Sequence, residues 1–413
     1  MRRYSIISAY FTLSSALFFL SFSLPAQTIN NSLGQELNVI TTAVPFLMIA
    51  PDARAGAMGD AGVSSTPDAN SIHWNPAKLA FINKDMGFSV SYSPWLRKLV
   101  PDISLAYVSG FKRLDDKQAF GMSLLYFSLG NIDFTDQNGL ITGTFNPSEF
   151  ALDASYSRKF TKTISGAVSG RFIYSNLTQG QVVQGAQTKA GTSGAADVAV
   201  YSHHPISFNN MTGIFAWGIN ISNIGAKISY GKGKDPNSTD FIPTNLRFGP
   251  SITLDLDDYN RMTFMLDFNK LLVPTPPIYE LDSNNQPVFN SDGSQKIKDG
   301  EGLSPKVSVP KGMLQSFYDA PGGFTEEMRE FSLAAGLEYW YDKQFALRGG
   351  FFYEDKNKGN RKFFSLGAGL KYNVFGLDFS YLIPMEQQNP LENTLRFSLI
   401  FDFDSFGNQG STK

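Results

Sequence analysis

Three histidines are the only side chains of this 413-residue chain that ordinarily titrate near neutral pH, and there is no cysteine. His73 stands beside Trp74, while His203 and His204 precede Pro205. No Gly-x-Ser-x-Gly elbow and no metal-ligand spacing accompanies them. A lipid-modifying enzyme would need a Ser or Asp within reach of a His facing lipid, and the pattern offers none. The expectation is a non-enzyme without metal or cofactor, with His73 a hydrogen-bonded structural residue and His203-His204 at a rim turn. Without cysteine, disulfides, thiolate metal sites and thiol nucleophiles are excluded. Gly56-x-x-Gly59-x-x-Gly62 has the spacing of a phosphate loop but lacks the preceding strand and the Lys-Ser/Thr, so it reads as a tightly packed turn. A net charge of −2 gives no reason to expect nucleic acid.

The remaining candidates are ionisable groups at regular positions: Asp153, Arg171, Arg247, Asp267, Glu338, Arg348, Lys371, Asp378 and Arg396. Each falls on the small or polar face of a segment whose other face is oily. Met262, Phe264, Leu266 and Phe268 alternate with Thr263, Met265, Asp267 and Asn269. Leu395, Phe397, Leu399, Phe401 and Phe403 alternate with Arg396, Ser398, Ile400 and Asp402. Period two is the signature of a strand with two unlike faces.

Such a pattern predicts fourteen strands, near 86–93, 102–112, 118–129, 149–160, 163–177, 193–203, 212–223, 244–256, 260–271, 331–341, 344–354, 362–372, 375–383 and 393–404. Connections after even strands are short and those after odd strands mostly long, up to 272–330. Short periplasmic turns and long outer loops are the pattern of a bacterial outer-membrane barrel. Low charge (17%) and abundant aromatics (14%) suit a wall that meets lipid. The fold expected is therefore all-β: a transmembrane antiparallel barrel of about fourteen strands over 86–413. A Lys or Arg facing lipid at mid-depth costs about 2–4 kcal/mol, which sends the ionisable groups to the lumen.

Two segments stand outside the alternation. Residues 1–26 read as a signal peptide, with Arg2-Arg3 before an uncharged stretch and Pro25-Ala26 before Gln27. Residues 27–85 are rich in Gly and Ala and fit a plug folded into the lumen, where Arg54, Asp60 and Lys78 are available to pair with lumen charges. The loop 272–330 carries Tyr279, Phe289, Phe317, Tyr318 and Phe324 in a Pro- and Gly-rich setting, as an interface or a cap would.

The run Pro45-Phe46-Leu47-Met48-Ile49-Ala50-Pro51-Asp52-Ala53-Arg54-Ala55-Gly56-Ala57-Met58-Gly59-Asp60, with Trp74-Asn75-Pro76-Ala77-Lys78-Leu79, resembles the PorV (LptO) family. These are outer-membrane components of the type IX secretion system of Bacteroidetes. Asn75-Pro76-Ala77 is shared with the wider FadL-like group of hydrophobic-compound transporters, which leaves transport of hydrophobic small molecules as the alternative function. The resemblance implies a plugged fourteen-stranded barrel that binds the C-terminal domains of secreted cargo at the cell surface. It implies as partners a SprA-type translocon, a PorU-type sortase, and outer-membrane lipid and lipopolysaccharide.

Overall fold

The computed structural model describes residues 38–404, apart from 97–99, 101, 136–139, 178–181, 184–185, 209–210, 232–238, 285, 387–390 and 393. The signal segment and residues 27–37 of the expected plug lie outside the described residues.

Fourteen strands close into one barrel. They are β1 (Met86–Pro94), β2 (Ser104–Arg113), β3 (Gln118–Ser128), β4 (Ser148–Lys159) and β5 (Ile164–Asn176). Next come β6 (Gly191–Phe208), β7 (Met211–Gly225), β8 (Asn245–Asp255) and β9 (Asn260–Leu271). The circuit ends with β10 (Ser332–Tyr341), β11 (Phe345–Tyr353), β12 (Lys362–Tyr372), β13 (Phe375–Pro384) and β14 (Leu395–Phe403). Every strand pairs antiparallel with its sequence neighbours, and β1 closes on β14 from Met86↔Phe403 to Tyr92↔Phe397. Closure leaves no sheet edge along the circuit, so the backbone is satisfied without water.

Alternation decides which face is which. Phe88, Val90 and Tyr92 are exposed on the outside of β1, whereas Ser89, Ser91 and Ser93 are buried inside. The same split holds for Phe397 and Leu399 against Arg396 and Ser398 on β14. A belt of exposed Leu, Val and Phe around the whole wall belongs in a hydrocarbon solvent. No described helix is long and apolar enough to cross a membrane, so strands do the crossing.

The connections divide by parity. Turns after even strands span 114–117, 160–163, 209–210, 256–259, 342–344 and 373–374, while odd strands are followed by 95–103, 129–147, 177–190, 226–244, 272–331, 354–361 and 385–394. One expectation needs correction. β6 does not end at a turn containing His203-His204 but runs through Pro205 to Phe208. The His203 amide donates to the Thr163 carbonyl at 2.9 Å, the last bond on the β5 side. Pro205 then faces that same side, where no strand follows and no donor is needed.

The segment before β1 lies against the inner wall. It consists of helical turns (Pro45–Met48, Ala53–Gly56, Ser71–Trp74, Pro76–Phe81) joined by irregular chain. So little regular structure leaves many peptide groups without local partners, and the inward face of the wall supplies them. The Ala53 amide donates to Ser398 Oγ (2.9 Å) and the Gly59 amide to Ser365 Oγ (2.9 Å). The Gly62 and Val63 amides both donate to Asp267 Oδ2, at 2.7 and 2.8 Å. Ser165 and Ser251 donate to the carbonyls of Ala77 and Ser64.

Candidate functional site

The glycine triplet works by what it lacks. A Cβ on Gly56 would lie 2.5 Å from the guanidinium of Arg396, and one on Gly59 would lie 2.5 Å from the Phe351 carbonyl of β11. Gly59 also takes φ +70°, which side chains resist. Spacing that mimics a phosphate loop is thus a record of close approach between plug and wall.

Around that contact the charges form a lattice. Arg54 donates from Nε and Nη2 to both oxygens of Glu338 (2.9 and 2.7 Å) and from Nη1 to Asp68 (2.8 Å). Arg348 completes Glu338 through Nε (2.7 Å) and reaches Asp378 (2.6 Å). Across the lumen, Arg171 bridges Asp153 (2.5 Å) and Asp197 (3.2 Å). Bidentate, buried pairs of this kind hold one geometry.

The expected plug residues occupy different settings. Arg54 sits in the lattice just described. Asp60 lies 3.5 Å from Arg396 Nη1. Asn75 donates from Nδ2 to the carbonyls of Val63 and Val200 (both 3.0 Å) and accepts from the Ala77 amide (3.0 Å), stitching the plug to β6. Lys78 departs from expectation: its Nζ donates to the Gly62 carbonyl (2.7 Å) and Ser65 Oγ (2.9 Å), and it forms no ion pair among the described residues. Two neutral oxygens of its own segment take its hydrogen bonds, so the ammonium holds the turn at Gly62–Ser65 together. Lys371 lines the lumen at the short-turn rim, half exposed, and pairs with Asp402 at 2.8 Å.

The two ends of the lumen differ. Toward the long loops, Phe46 and Leu47 pack with Leu105, Leu125 and Ile173. Toward the short turns, a cavity of about 660 Å³ opens, lined by Phe81, Tyr201, His203, Trp340 and the Arg54–Glu338–Arg348 group. His73 packs edge-on to Trp74, with ring centroids 4.9 Å apart. No cluster of metal-binding side chains occurs among the described residues.

The long connection after β9 is folded. Residues Tyr279 to Ile297 form a ribbon bridged at Tyr279↔Ile297, Leu281↔Pro287 and Phe289↔Gln295. Two helical turns follow, Val309–Gln315 and Gly323–Arg329. The five expected anchors therefore separate: Tyr279 and Phe289 stand on the ribbon, while Phe317, Tyr318 and Phe324 stand on the helical hairpin. Phe289 (59% exposed) and Phe324 (80%) are the most open of them on their respective halves.

What fixes the hairpin are residues that sequence reasoning missed. Lys270 Nζ donates to Glu327 (3.0 Å) and Glu330 (2.6 Å), and Lys358 Nζ to Glu326 (2.5 Å) and Glu330 (3.0 Å). Asp319 accepts from the Thr275 amide (3.2 Å) and Gln315 Nε2 (3.1 Å), and burial pushes its carboxyl up to about 6. A signal for Lys270 was present. It continues the outward series Met262, Phe264, Leu266, Phe268, where a cation demands cover.

With this geometry in view, the family described as Type IX secretion system protein PorV matches residues 32–278. Among solved structures the chain is similar to the Pseudomonas putida toluene transporter TodX (11% identity, TM-score 0.48, covering 89% of this chain and 98% of that one). It is similar also to the Ralstonia pickettii toluene transporter TbuX (11%, TM-score 0.42, 86% and 98%). A Pseudomonas aeruginosa FadL homologue gives 13%, TM-score 0.40, 86% and 99%. Comparison with curated proteins gives no match.

Proposed function

Since this chain belongs to the PorV family of type IX secretion system proteins, we propose that it serves as the recognition component at the outer membrane. It binds the C-terminal signal domain of secreted cargo at the cell surface and passes it from a SprA-type translocon to a PorU-type sortase. In this reading the long loops face outward and the short turns face the periplasm.

The observation that carries the reading is the contrast between a plugged lumen and a long, folded connection after β9 with exposed aromatic groups. A folded signal domain is far wider than a fourteen-stranded barrel, and here the barrel also holds Arg54, Asn75 and their neighbours against its wall. Recognition on the outside is what remains. The segment 272–330 supplies it with aromatic groups in a polar setting, the usual anchors of a protein interface. A FadL-like transporter of hydrophobic molecules would instead need an apolar pocket against the plug and a lateral gap in the wall, and at the long-loop end Phe46, Leu47 and Ile173 pack where such a pocket would lie.

The test is to replace residues 280–296, the ribbon, with a short Gly-Ser link. The Lys298 amide donates to the Ile278 carbonyl (2.9 Å), so the ends of the excision already meet. The shortened protein should stay heat-modifiable on gels and lose co-purification with translocon and cargo. Unchanged capture of both would move recognition to another surface. Excising as far as residue 325 is a poorer test, because it removes the helix Val309–Gln315, the Phe317 ring beside Lys270 and the first three residues of the helix that carries Glu327.

A further inference from the structure

The helical hairpin has two unlike faces, and their placement on the wall is informative. Along β9 the even positions point out of the barrel, since Phe264 is exposed whereas Thr263, Met265 and Asp267 are buried. Lys270 belongs to that outward set, yet it is 1% exposed. Its cover is Glu327 and Glu330 from the end of the hairpin, so this end lies against the outside of the wall at the rim, while the neighbouring Glu326 also accepts from Asn38 Nδ2 (3.0 Å) at the start of the plug segment.

Aromatic rings make the junction continuous. The ammonium of Lys270 sits 5.6 Å from the centroid of Phe317 and 5.3 Å from that of Phe331. Phe331 in turn stands 6.5 Å from Phe248, which stacks on Phe268 at 5.3 Å. Phe248 and Phe268 hold outward positions on β8 and β9. An apolar path thus runs from the membrane-facing wall onto the hairpin.

Charge is sorted along the same surface. The carboxylates of Glu326, Glu327 and Glu330 are all drawn inward by Lys270 and Lys358. Exposed on the hairpin remain Phe324 and Met328, one helical turn apart and next to Arg329, and on the preceding helix Lys311. Apolar groups flanked by cations, at the rim of a lipid-facing wall, are the signature of an interfacial segment on an anionic leaflet.

We propose that the hairpin of Val309–Gln315 and Gly323–Arg329 is a lipid-docking surface for phosphorylated lipid of the outer leaflet. Phe324 and Met328 enter the upper acyl region, and Lys311 and Arg329 meet the phosphates. The assignment rests on the outward orientation of the long loops given above. It divides the segment between two partners, leaving the ribbon with Tyr279 and Phe289 to proteins.

The chain has no cysteine, so Thr325→Cys and Ser291→Cys each give a single labelling site. Each variant is labelled with an environment-sensitive fluorophore. It is then reconstituted into phosphatidylcholine vesicles carrying headgroup-nitroxide lipid, with or without lipid A. The label at 325 should lose most of its fluorescence and the label at 291 should keep it, and lipid A should deepen the loss. Lys311→Gln with Arg329→Gln should abolish the lipid A increment. A label at 325 no more quenched than at 291 overturns the proposal, and quenching indifferent to lipid A overturns the phosphate contact. Partner capture is read separately. If 325 is quenched but ribbon excision leaves capture intact, the recognition reading fails and this one stands.

Discussion

Replacing Arg54 with alanine should unlatch the plug without dismantling the barrel. The guanidinium holds both oxygens of Glu338, the carboxylate of Asp68, and Thr66 through its carbonyl (3.1 Å) and hydroxyl (2.6 Å). Removing one partner of a buried pair costs about 3–5 kcal/mol, because the other charge is left uncompensated. Here Arg348 still holds Glu338 Oε2 at 2.7 Å, so the lower end, about 3 kcal/mol, is expected. That raises the open fraction of the plug by about 10²-fold. Ser64→Cys provides the probe, since its side chain is buried and its hydroxyl has no hydrogen-bond partner to lose. When reclosing outruns the chemistry, the rate of modification by a bulky polyethylene-glycol maleimide tracks the open population. Arg54→Ala should accelerate labelling by about that factor, and adding Glu338→Gln should recover part of the protection by removing the half-compensated charge, because Arg348 keeps Asp378 as its partner at 2.6 Å. An unchanged labelling rate in Arg54→Ala, or a double variant that labels faster still, would refute the reasoning.

Three further outcomes follow from the same geometry. Lys270→Met should leave Glu327 and Glu330 short of a cation and loosen the hairpin, so trypsin should cut at Lys306, Lys311 and Arg329 while the barrel stays heat-modifiable; resistance equal to the parent protein would contradict the clamp. Asp319 binds its proton more tightly folded than unfolded, so the hairpin gains stability as pH falls through about 6 toward 4 and loses it as pH rises through that window. Protection factors for amide exchange over 309–329, taken relative to the intrinsic rate at each pH, should rise on acidification, and Asp319→Asn should flatten that rise. An epitope at Ser291-Asp292 should be labelled on intact cells and one at Asp115-Asp116 should not; the reverse would invert the orientation.

The strands were legible because lipid on one side and a packed lumen on the other impose two unlike environments at every second residue, as in Phe264 and Asp267. Parity of the connections was legible for the same reason, since each error of one strand would invert it. The run through Pro205 was not, because a proline reads as a break unless the neighbouring edge is known to end at Thr163. The plug announced itself by Gly and Ala content, but its partners could not be read. Arg54 meets Glu338 across 284 positions of chain, and nothing local marks which of several lumen carboxylates it will find. That is also why Lys78 was assigned a charge partner it does not have. The hairpin was hidden for a different reason: helices of seven residues carry too few turns to show a period, and the lysines that clamp them come from elsewhere.

Ser398 lies on β14 at the seam of the barrel, where it shares a hydrogen bond with Ser91 of β1 at 2.7 Å and accepts another from the Ala53 amide. First strand, last strand and plug therefore meet at one hydroxyl. The plug is made before any strand and β14 after all the others, so the wall cannot seal around an absent plug without leaving these groups unmatched.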